Sequence, residues 1–170
     1  MKLIICAGLP GSGKSYLARR LVKRLRKCLY FDSDLFAKNY MKGKDWSDPK
    51  ARLGCHSAKL EQILREFRKH DYVILDTCFD MPKSRSMIYK FCRDNDIEIV
   101  IIEVFCSLET AKARILKGGD EHRMPGTIRS RWKAHLQMRK NWRKIARVAL
   151  RVDSEKDIEK SISSSLELIE

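Results

Sequence analysis

Residues 8–15 read Gly-Leu-Pro-Gly-Ser-Gly-Lys-Ser and match the phosphate-binding pattern G-x-x-x-x-G-K-[ST] over its full length. The glycines allow a tight turn in which backbone N–H groups point at a polyphosphate. The Lys14 ammonium can reach the terminal phosphates, and the Ser15 hydroxyl can ligate Mg²⁺. The loop therefore predicts a bound nucleoside triphosphate (ATP or another NTP) with Mg²⁺. The expected nucleotide contacts are Gly8, Pro10, Gly11, Ser12, Gly13, Lys14, Ser15 and Tyr16.

Two carboxylates follow apolar segments elsewhere in the chain. Asp76 ends the run Val73-Ile74-Leu75 and can hold Mg²⁺ directly or through water, although an Asp here can also simply cap the next turn. Asp34 follows a second apolar segment, and its carboxylate could accept the proton of a hydroxyl that attacks the γ-phosphate. The alternative for Asp34 is helix capping, a role that Asp32 or Ser33 could fill instead.

Basic residues surround the pair Gly118-Gly119. Two glycines between helices permit a mobile flap, and its closure would bring cations onto the transferring phosphate and exclude water. The sequence therefore predicts a lid at about residues 117–126, with Arg114 and Arg123 as catalytic cations and Lys117 as a further candidate. An ordinary basic surface loop remains the alternative.

These groups must be positioned by regular elements, and apolar segments mark five strands at about residues 2–7, 28–31, 72–75, 97–105 and 148–152. Helical patterns fall between them, including a long basic helix predicted over residues 127–147. Strands alternating with helices predict an α/β fold, a five-stranded parallel sheet with helices on both faces. Ligands in such sheets bind beyond the carboxyl ends of the strands. We therefore expect one edge to hold residues 8–15, 32–34, 76–80 and 107.

The 170 residues fit a single domain, 1–170, with 36 Lys plus Arg against 22 Asp plus Glu and a formal charge of +14. Such an excess indicates a polyanionic partner, with a solvated basic surface as the alternative. The stretch 127–147 holds eight basic and no acidic residues, interleaved with Trp132 and Trp142. Those rings could stack on single-stranded nucleic acid or anchor the helix in the core.

Other classes of protein are disfavoured by composition. The six cysteines contain no C-x-x-C pair, which argues against a zinc site and a disulfide framework. The four histidines lack metal-ligand spacing. No apolar run has the length of a membrane helix, and the run at residues 3–7 is too short for a signal-peptide core. We expect a cytoplasmic protein without a membrane partner.

Over most of its length the chain resembles the polynucleotide-kinase-like branch of P-loop kinases. The segments that carry the resemblance are residues 8–15, Phe31-Asp32-Ser33-Asp34, Val73-Ile74-Leu75-Asp76-Thr77, Pro82-Lys83-Ser84-Arg85 and 108–117. The resemblance implies a P-loop NTPase/kinase fold with a small lid, and Asp34 as general base for a 5′-hydroxyl. It also implies lid arginines on the phosphates and acceptor contacts at Asp76, Thr77 and Arg85. Ala37 stands where the family has a basic acceptor-binding residue, which leaves Lys38 as a displaced substitute.

Three functional hypotheses follow. The leading one is an ATP- and Mg²⁺-dependent kinase that phosphorylates a 5′-hydroxyl end of RNA or DNA. The second is a kinase of the same scaffold for a small-molecule hydroxyl or an aminoacyl-tRNA hydroxyl, because the same segments also resemble archaeal seryl-tRNA kinase. The third is a nucleotide-gated RNA-binding module without phosphotransfer.

Overall fold

The computed structural model of the chain describes residues 1–45, 47–118 and 128–170. Within these residues the chain forms five strands and seven helices. The strands are β1 (Lys2–Ala7), β2 (Cys28–Asp32), β3 (Tyr72–Thr77), β4 (Glu98–Phe105) and β5 (Leu150–Asp153). The helices are α1 (Lys14–Val22), α2 (Ser33–Tyr40), α3 (Pro49–Glu66), α4 (Pro82–Asp94), α5 (Leu108–Lys117), α6 (Ile128–Lys140) and α7 (Ile158–Ile169).

The five strands form one parallel sheet in the order β2-β3-β1-β4-β5. The α/β prediction is therefore confirmed. Asp76 of β3 lies opposite Cys6 of β1 on one side and Asp32 of β2 on the other. This register brings the ends of three strands level with one another. The phosphate-loop sequence and the segments after Asp32 and Asp76 consequently leave the sheet at the same edge.

Helices cover both faces of the sheet, and the apolar residues of β1 alternate between the two cores. Leu3 and Ile5 face the layer of α3 and α4, whereas Ile4 and Cys6 face the layer of α1 and α7. All four side chains are fully buried, as expected for a central parallel strand. No described helix is both long and apolar enough to cross a membrane.

The basic helix expected to reach residue 147 is shorter, and that prediction is wrong: α6 ends at Lys140. After this point the chain turns inward, and Ile145 is buried in the same core as α3 and α4. Trp142 packs beside it, and Trp132 stacks on the ring of His135 with centroids 5.1 Å apart. Trp142 therefore packs against the core, Trp132 packs on His135 of its own helix, and strand β5 begins at Leu150 rather than at 148.

Candidate functional site

The segment between β1 and α1 wraps tightly because three of its positions cannot hold a side chain at low cost. Gly11 and Gly13 have φ angles of 79° and 94°, in the left-handed region that favours glycine. A Cβ on Gly8 would lie 2.3 Å from the carbonyl oxygen of Val104 in β4. The glycines of the motif are thus required by backbone shape and close approach.

Like α4, helix α1 begins without a side-chain cap. Its N-cap is Gly13, and its first turn holds no acidic residue. By contrast, α2, α3, α5 and α7 are each capped by an Asp or Ser side chain. The positive end of the α1 dipole therefore faces the loop, where an anion is favoured. Lys14 and Ser15 lie at this end, 3% and 6% exposed.

A cleft of about 800 Å³ extends from the phosphate loop to helix α2. Asp32 caps α2, since its Oδ1 accepts hydrogen bonds from the amides of Asp34 at 3.0 Å and Leu35 at 2.9 Å. Asp34 lies in the first turn of α2 and lines the cleft, together with Ala37. Lys38 is exposed at the surface, outside the residues that line the cleft.

Helix α3 supplies the opposite wall through residues at spacings of three and four. These residues are Arg52, Cys55, His56 and Lys59. Lys59 is only 6% exposed, and its Nζ donates a hydrogen bond to Ser33 Oγ at 2.6 Å. Burial lowers the pKa of the Lys59 ammonium, while the nearby thiol of Cys55 and the carboxylate of Asp34 act in the opposite direction. Sequence reasoning missed Lys59, because α3 carries several basic residues and their spacing does not mark which of them is buried.

Asp76 is buried beside the phosphate-loop strand and has one unsatisfied oxygen. Its Oδ2 accepts a hydrogen bond from the Tyr30 hydroxyl at 2.7 Å, and its Oδ1 has no hydrogen-bond partner among the described residues. Burial and the adjacent carboxylate raise the pKa of Tyr30, so that this hydroxyl stays protonated and donates. A buried carboxylate oxygen without a donor fits a cation such as Mg²⁺.

The described residues contain no group of three or more His, Cys, Asp or Glu side chains that could hold a metal ion. Mg²⁺ does not require such a cage, since it is commonly held by one or two carboxylates, phosphate oxygens and waters. Ser15 and Asp76 are thus a donor set suited to Mg²⁺ on a nucleotide. Thr77, the residue after Asp76, lines the cleft itself.

Arg114 of α5 lies against the phosphate loop. Its Nη1 donates to the carbonyl oxygen of Gly11 at 3.2 Å and to Ser154 Oγ at 2.8 Å, while its Nη2 donates to the Ser154 carbonyl oxygen. The predicted partner Arg123 and residues 119–126 of the predicted lid lie outside the described residues. A second cavity of about 400 Å³ adjoins the loop, with Tyr16, Arg114 and Ser154 in its lining.

Helix α6 contributes two residues that sequence reasoning did not assign to the site. Arg131 lines the cleft, and its Nε is buried without a described hydrogen-bond partner. One turn later, His135 is 1% exposed and its Nδ1 lies 2.9 Å from the carbonyl oxygen of Pro10. Burial lowers the pKa of His135, so the neutral ring donates from Nδ1 to the loop. No motif identifies these two residues in the sequence, because they lie among several other basic residues.

Arg85, expected to contact the acceptor, makes other contacts. It is 6% exposed, and the rings of Phe79 and Trp142 flank its guanidinium. Its nitrogens donate to four backbone carbonyl oxygens, those of Phe79 (2.6 Å), Asp80 (3.2 Å), Arg143 (2.8 Å) and Lys144 (3.0 Å). These contacts support a structural role, because they engage all three guanidinium nitrogens in holding two loops together.

The solved structures that are similar to this chain include the following three. The APS kinase CysC of Mycobacterium tuberculosis, in complex with AMPPNP and APS, has a TM-score of 0.70 at 16% identity, covering 98% of this chain and 96% of that chain. Kti12 of Chaetomium thermophilum, in complex with ADP-AlF3, has a TM-score of 0.68 at 18% identity, covering 99% of each chain. A gluconokinase from Sinorhizobium meliloti 1021 has a TM-score of 0.65 at 14% identity, covering 98% and 89%. At these identities the similarity shows a shared fold.

A search of curated proteins found no match. A family profile described as an AAA domain matches residues 3–141, a span that includes the phosphate loop, Asp34, Asp76 and Arg114. This span is most of the chain, and the solved structures that share its fold include kinases. The chain therefore belongs to the AAA domain family and has a kinase-like P-loop fold.

Proposed function

We propose that the chain is an ATP- and Mg²⁺-dependent kinase that transfers the γ-phosphate to a hydroxyl group held beside Asp34. The observation that carries this proposal is the continuous cleft that joins Lys14 in the phosphate loop to Asp34 on α2. In-line transfer requires the attacking oxygen and the leaving oxygen on opposite sides of the phosphorus. A base in the same cleft as the phosphate loop supports an acceptor hydroxyl on the side of the phosphorus away from the leaving oxygen.

The loop amides and Lys14 would hold the phosphates of ATP, and the nucleoside would occupy the adjoining cavity beside Tyr16 and Arg114. Ser15 Oγ and Asp76 Oδ1 would hold Mg²⁺, directly or through water. The metal, when bound, neutralises charge on the β- and γ-phosphates. The unpartnered Asp76 Oδ1 supports this assignment.

The transfer step uses groups of this chain for proton and charge. Asp34 accepts the proton of the acceptor hydroxyl, whose oxygen bonds to the γ-phosphorus while the bond from that phosphorus to the β-phosphate oxygen breaks and ADP leaves. Lys14, Arg114 and Arg131 would stabilise the charge spread over the transferring group. Arg123 remains a predicted lid cation with the same role.

For the acceptor we propose a 5′-hydroxyl end of RNA or DNA, supported by the formal charge of +14 and by the cations Arg19 and Arg52 in the cleft lining. A small hydroxyl metabolite is the second candidate. It is favoured by the buried Lys59 in the lining of the cleft, which could pair with an anionic group of a small substrate. APS kinase and gluconokinase, which share the fold, bear the names of small-molecule kinases.

The test is incubation with γ-labelled ATP and a panel of acceptors: 5′-hydroxyl RNA and DNA oligomers, the same oligomers carrying a 5′-phosphate, seryl-tRNA, nucleosides and small polyols. We expect label on the 5′-hydroxyl oligomers and none on the 5′-phosphorylated ones. Label on small alcohols alone would replace the polynucleotide assignment by the second candidate. RNA binding that responds to ATP without any labelled product would refute phosphotransfer.

The role of Asp34 is tested by Asp34→Asn, with Asp45→Asn as the control because Asp45 is an exposed loop residue. Loss of a general base is expected to reduce kcat about 10²- to 10⁴-fold. ATP affinity should change less than about twofold, since Asp34 lies on α2 and not in the phosphate loop. Turnover in Asp34→Asn equal to that in Asp45→Asn would remove Asp34 from the mechanism.

A further inference from the structure

Residues 139–147, here called the basic segment, carry five cations on the surface of the protein. They are Arg139, Lys140, Arg143, Lys144 and Arg147, and all five are exposed. The sequence from 128 to 152 contains no Asp or Glu that could neutralise them locally. Within the described parts of the chain, the ion pairs of arginine and lysine involve other residues, such as Lys90 with Asp94 and Arg151 with Glu103.

Most of the basic segment is not helical, yet it is held rigidly. Arg85 fixes it through the carbonyl oxygens of Arg143 and Lys144, and the Tyr89 hydroxyl donates to the carbonyl oxygen of Ala146 at 3.2 Å. Ile145, 2% exposed, anchors the segment in the core. The backbone is thus held from the inside while the charged side chains remain in solvent. Because the backbone is already ordered, binding a polyanion costs the conformational freedom of the side chains alone.

The basic segment also adjoins the acceptor end of the cleft. The Nη2 atom of Arg85 donates both to the carbonyl oxygen of Asp80 at 3.2 Å and to that of Arg143 at 2.8 Å. Asp80 lines the cleft, as does Met138, the residue immediately before the segment. A strand that enters the cleft by one end can therefore continue directly onto this surface.

We propose that the basic segment binds the phosphate backbone of a nucleic acid strand whose 5′ end enters the cleft. The proposal rests on the proposed function and adds a binding surface outside the cleft. Contacts to phosphates carry no sequence preference, and they fix the position of the strand relative to the protein. A strand held here gains affinity with length, whereas a mononucleotide or dinucleotide reaches only the cleft.

Binding is tested with a fourfold variant, K140Q/R143Q/K144Q/R147Q, and a matched control, K23Q/R26Q/R68Q/K69Q. The control removes the same charge from exposed residues at the ends of α1 and α3, beside the opposite edge of the sheet. The probe is a fluorescein-labelled single-stranded RNA of 20 nucleotides with a 5′-phosphate, which offers no 5′-hydroxyl for transfer. Its anisotropy is measured over a series of KCl concentrations.

We expect the fourfold variant to bind at least about tenfold more weakly at low salt than the control. Each phosphate contact of a single strand contributes about 0.7 to the slope of log K against log salt, so the slope should fall by up to about 3. Equal losses in variant and control would show a general charge effect and overturn the proposal. A wild-type protein that binds neither this RNA nor the corresponding DNA would also overturn it.

A kinase readout separates this surface from the proposed function. With a dinucleotide acceptor the fourfold variant should keep kcat and KM within about twofold of wild type, whereas KM for a 20-nucleotide acceptor should rise about tenfold. If every oligomer stays unphosphorylated while the variant loses RNA affinity, the surface stands and the proposed function fails. If oligomers are phosphorylated with equal KM by variant and control, the surface fails and the proposed function stands.

Discussion

Replacing the buried Lys59 by methionine should stabilise the folded protein while impairing its activity. The ammonium is 6% exposed, and its hydrogen-bond partner is the neutral Ser33 hydroxyl at 2.6 Å. Desolvation of a buried ion costs several kcal/mol, and a hydrogen bond to a charged group returns about 1.5 to 3 kcal/mol. Methionine fills a similar volume without charge. We therefore expect Lys59→Met to raise the free energy of unfolding by about 1 to 2 kcal/mol at pH 7, and Tm by about 2 to 8 °C.

The pH dependence of this effect has a defined sign. Because burial lowers the pKa of Lys59 below its ordinary value of 10.5, the folded lysine loses its proton at a lower pH than the unfolded lysine does. Between the two values the unfolded state binds more protons, so the stability of the wild type rises with pH. The advantage of Lys59→Met should therefore be fully present below the pKa of the folded lysine and shrink as the pH rises towards 10.5.

The assay is urea unfolding of wild type, Lys59→Met and the control Lys50→Met at several pH values from 7 to 10. Lys50 is exposed in the first turn of the same helix, so its substitution should change stability by less than about 0.5 kcal/mol. Phosphotransfer by Lys59→Met should fall, because Lys59 bonds the residue next to Asp34. A variant less stable than wild type by about 2 kcal/mol at pH 7, or a difference independent of pH, would refute the reasoning.

Three further substitutions test the site. Gly8→Ala should lower the free energy of unfolding by about 3 kcal/mol and weaken ATP binding, because its Cβ would lie 2.3 Å from the Val104 carbonyl oxygen. Thermal denaturation measures the loss of stability, and nucleotide titration measures the loss of affinity. Tyr30→Phe removes the hydrogen bond to Asp76 and should cost about 2 kcal/mol, seen as a Tm lower by about 4 to 8 °C. Because burial lowers the pKa of His135, the wild type should lose stability as the pH falls through about 6.5. His135→Asn should reduce that loss, as measured by urea unfolding between pH about 7.5 and about 5.5.

Each of these substitutions has a control in the same chain. A Cβ on Gly43 meets no atom within 4 Å, so the cost of Gly43→Ala comes from its φ of 76°, a strain that Gly8 does not have, and it should stay below the cost of Gly8→Ala. Tyr16→Phe removes an exposed hydroxyl, and His70→Asn changes a histidine whose side chain is 24% exposed. If a control variant is as unstable as its partner, or if His135→Asn loses as much stability on acidification as the wild type does, the corresponding structural explanation is wrong.

The sequence was sufficient to predict the strands and the groups that follow them. Asp34 and Asp76 each follow a short apolar run, and parallel strands bring their carboxyl ends to one edge irrespective of how the side chains pack. Glycine in the phosphate loop is likewise dictated by local geometry, with φ values of 79° and 94° at Gly11 and Gly13. These features depend on backbone rules that operate over a few residues.

Lys59, Arg131 and His135 could not be found in that way. Each lies on a helix with several basic neighbours, and only the rotation of the helix against the sheet decides which cation faces the cleft. The hydrophobic pattern fixes that rotation to within a residue or so, and a shift of that size exchanges an exposed lysine for a buried one. Tertiary packing therefore determines this part of the site.

Arg85 shows how the end of a helix can decide the role of a distant residue. Once α6 stops at Lys140, the carbonyl groups of the following turn lose their helical amide donors and need other partners, because buried backbone carbonyls are rarely left unpaired. The guanidinium of Arg85 supplies donors to two of them and to two more in the loop after β3. The end of α6 consequently requires the buried Arg85, and Arg85 in turn holds the backbone of the basic segment whose cations face the solvent. The Pro-Lys-Ser-Arg motif alone does not show whether its arginine binds a ligand or supports the nearby backbone. The backbone carbonyl groups that lack amide donors in the structure show that Arg85 supports the backbone.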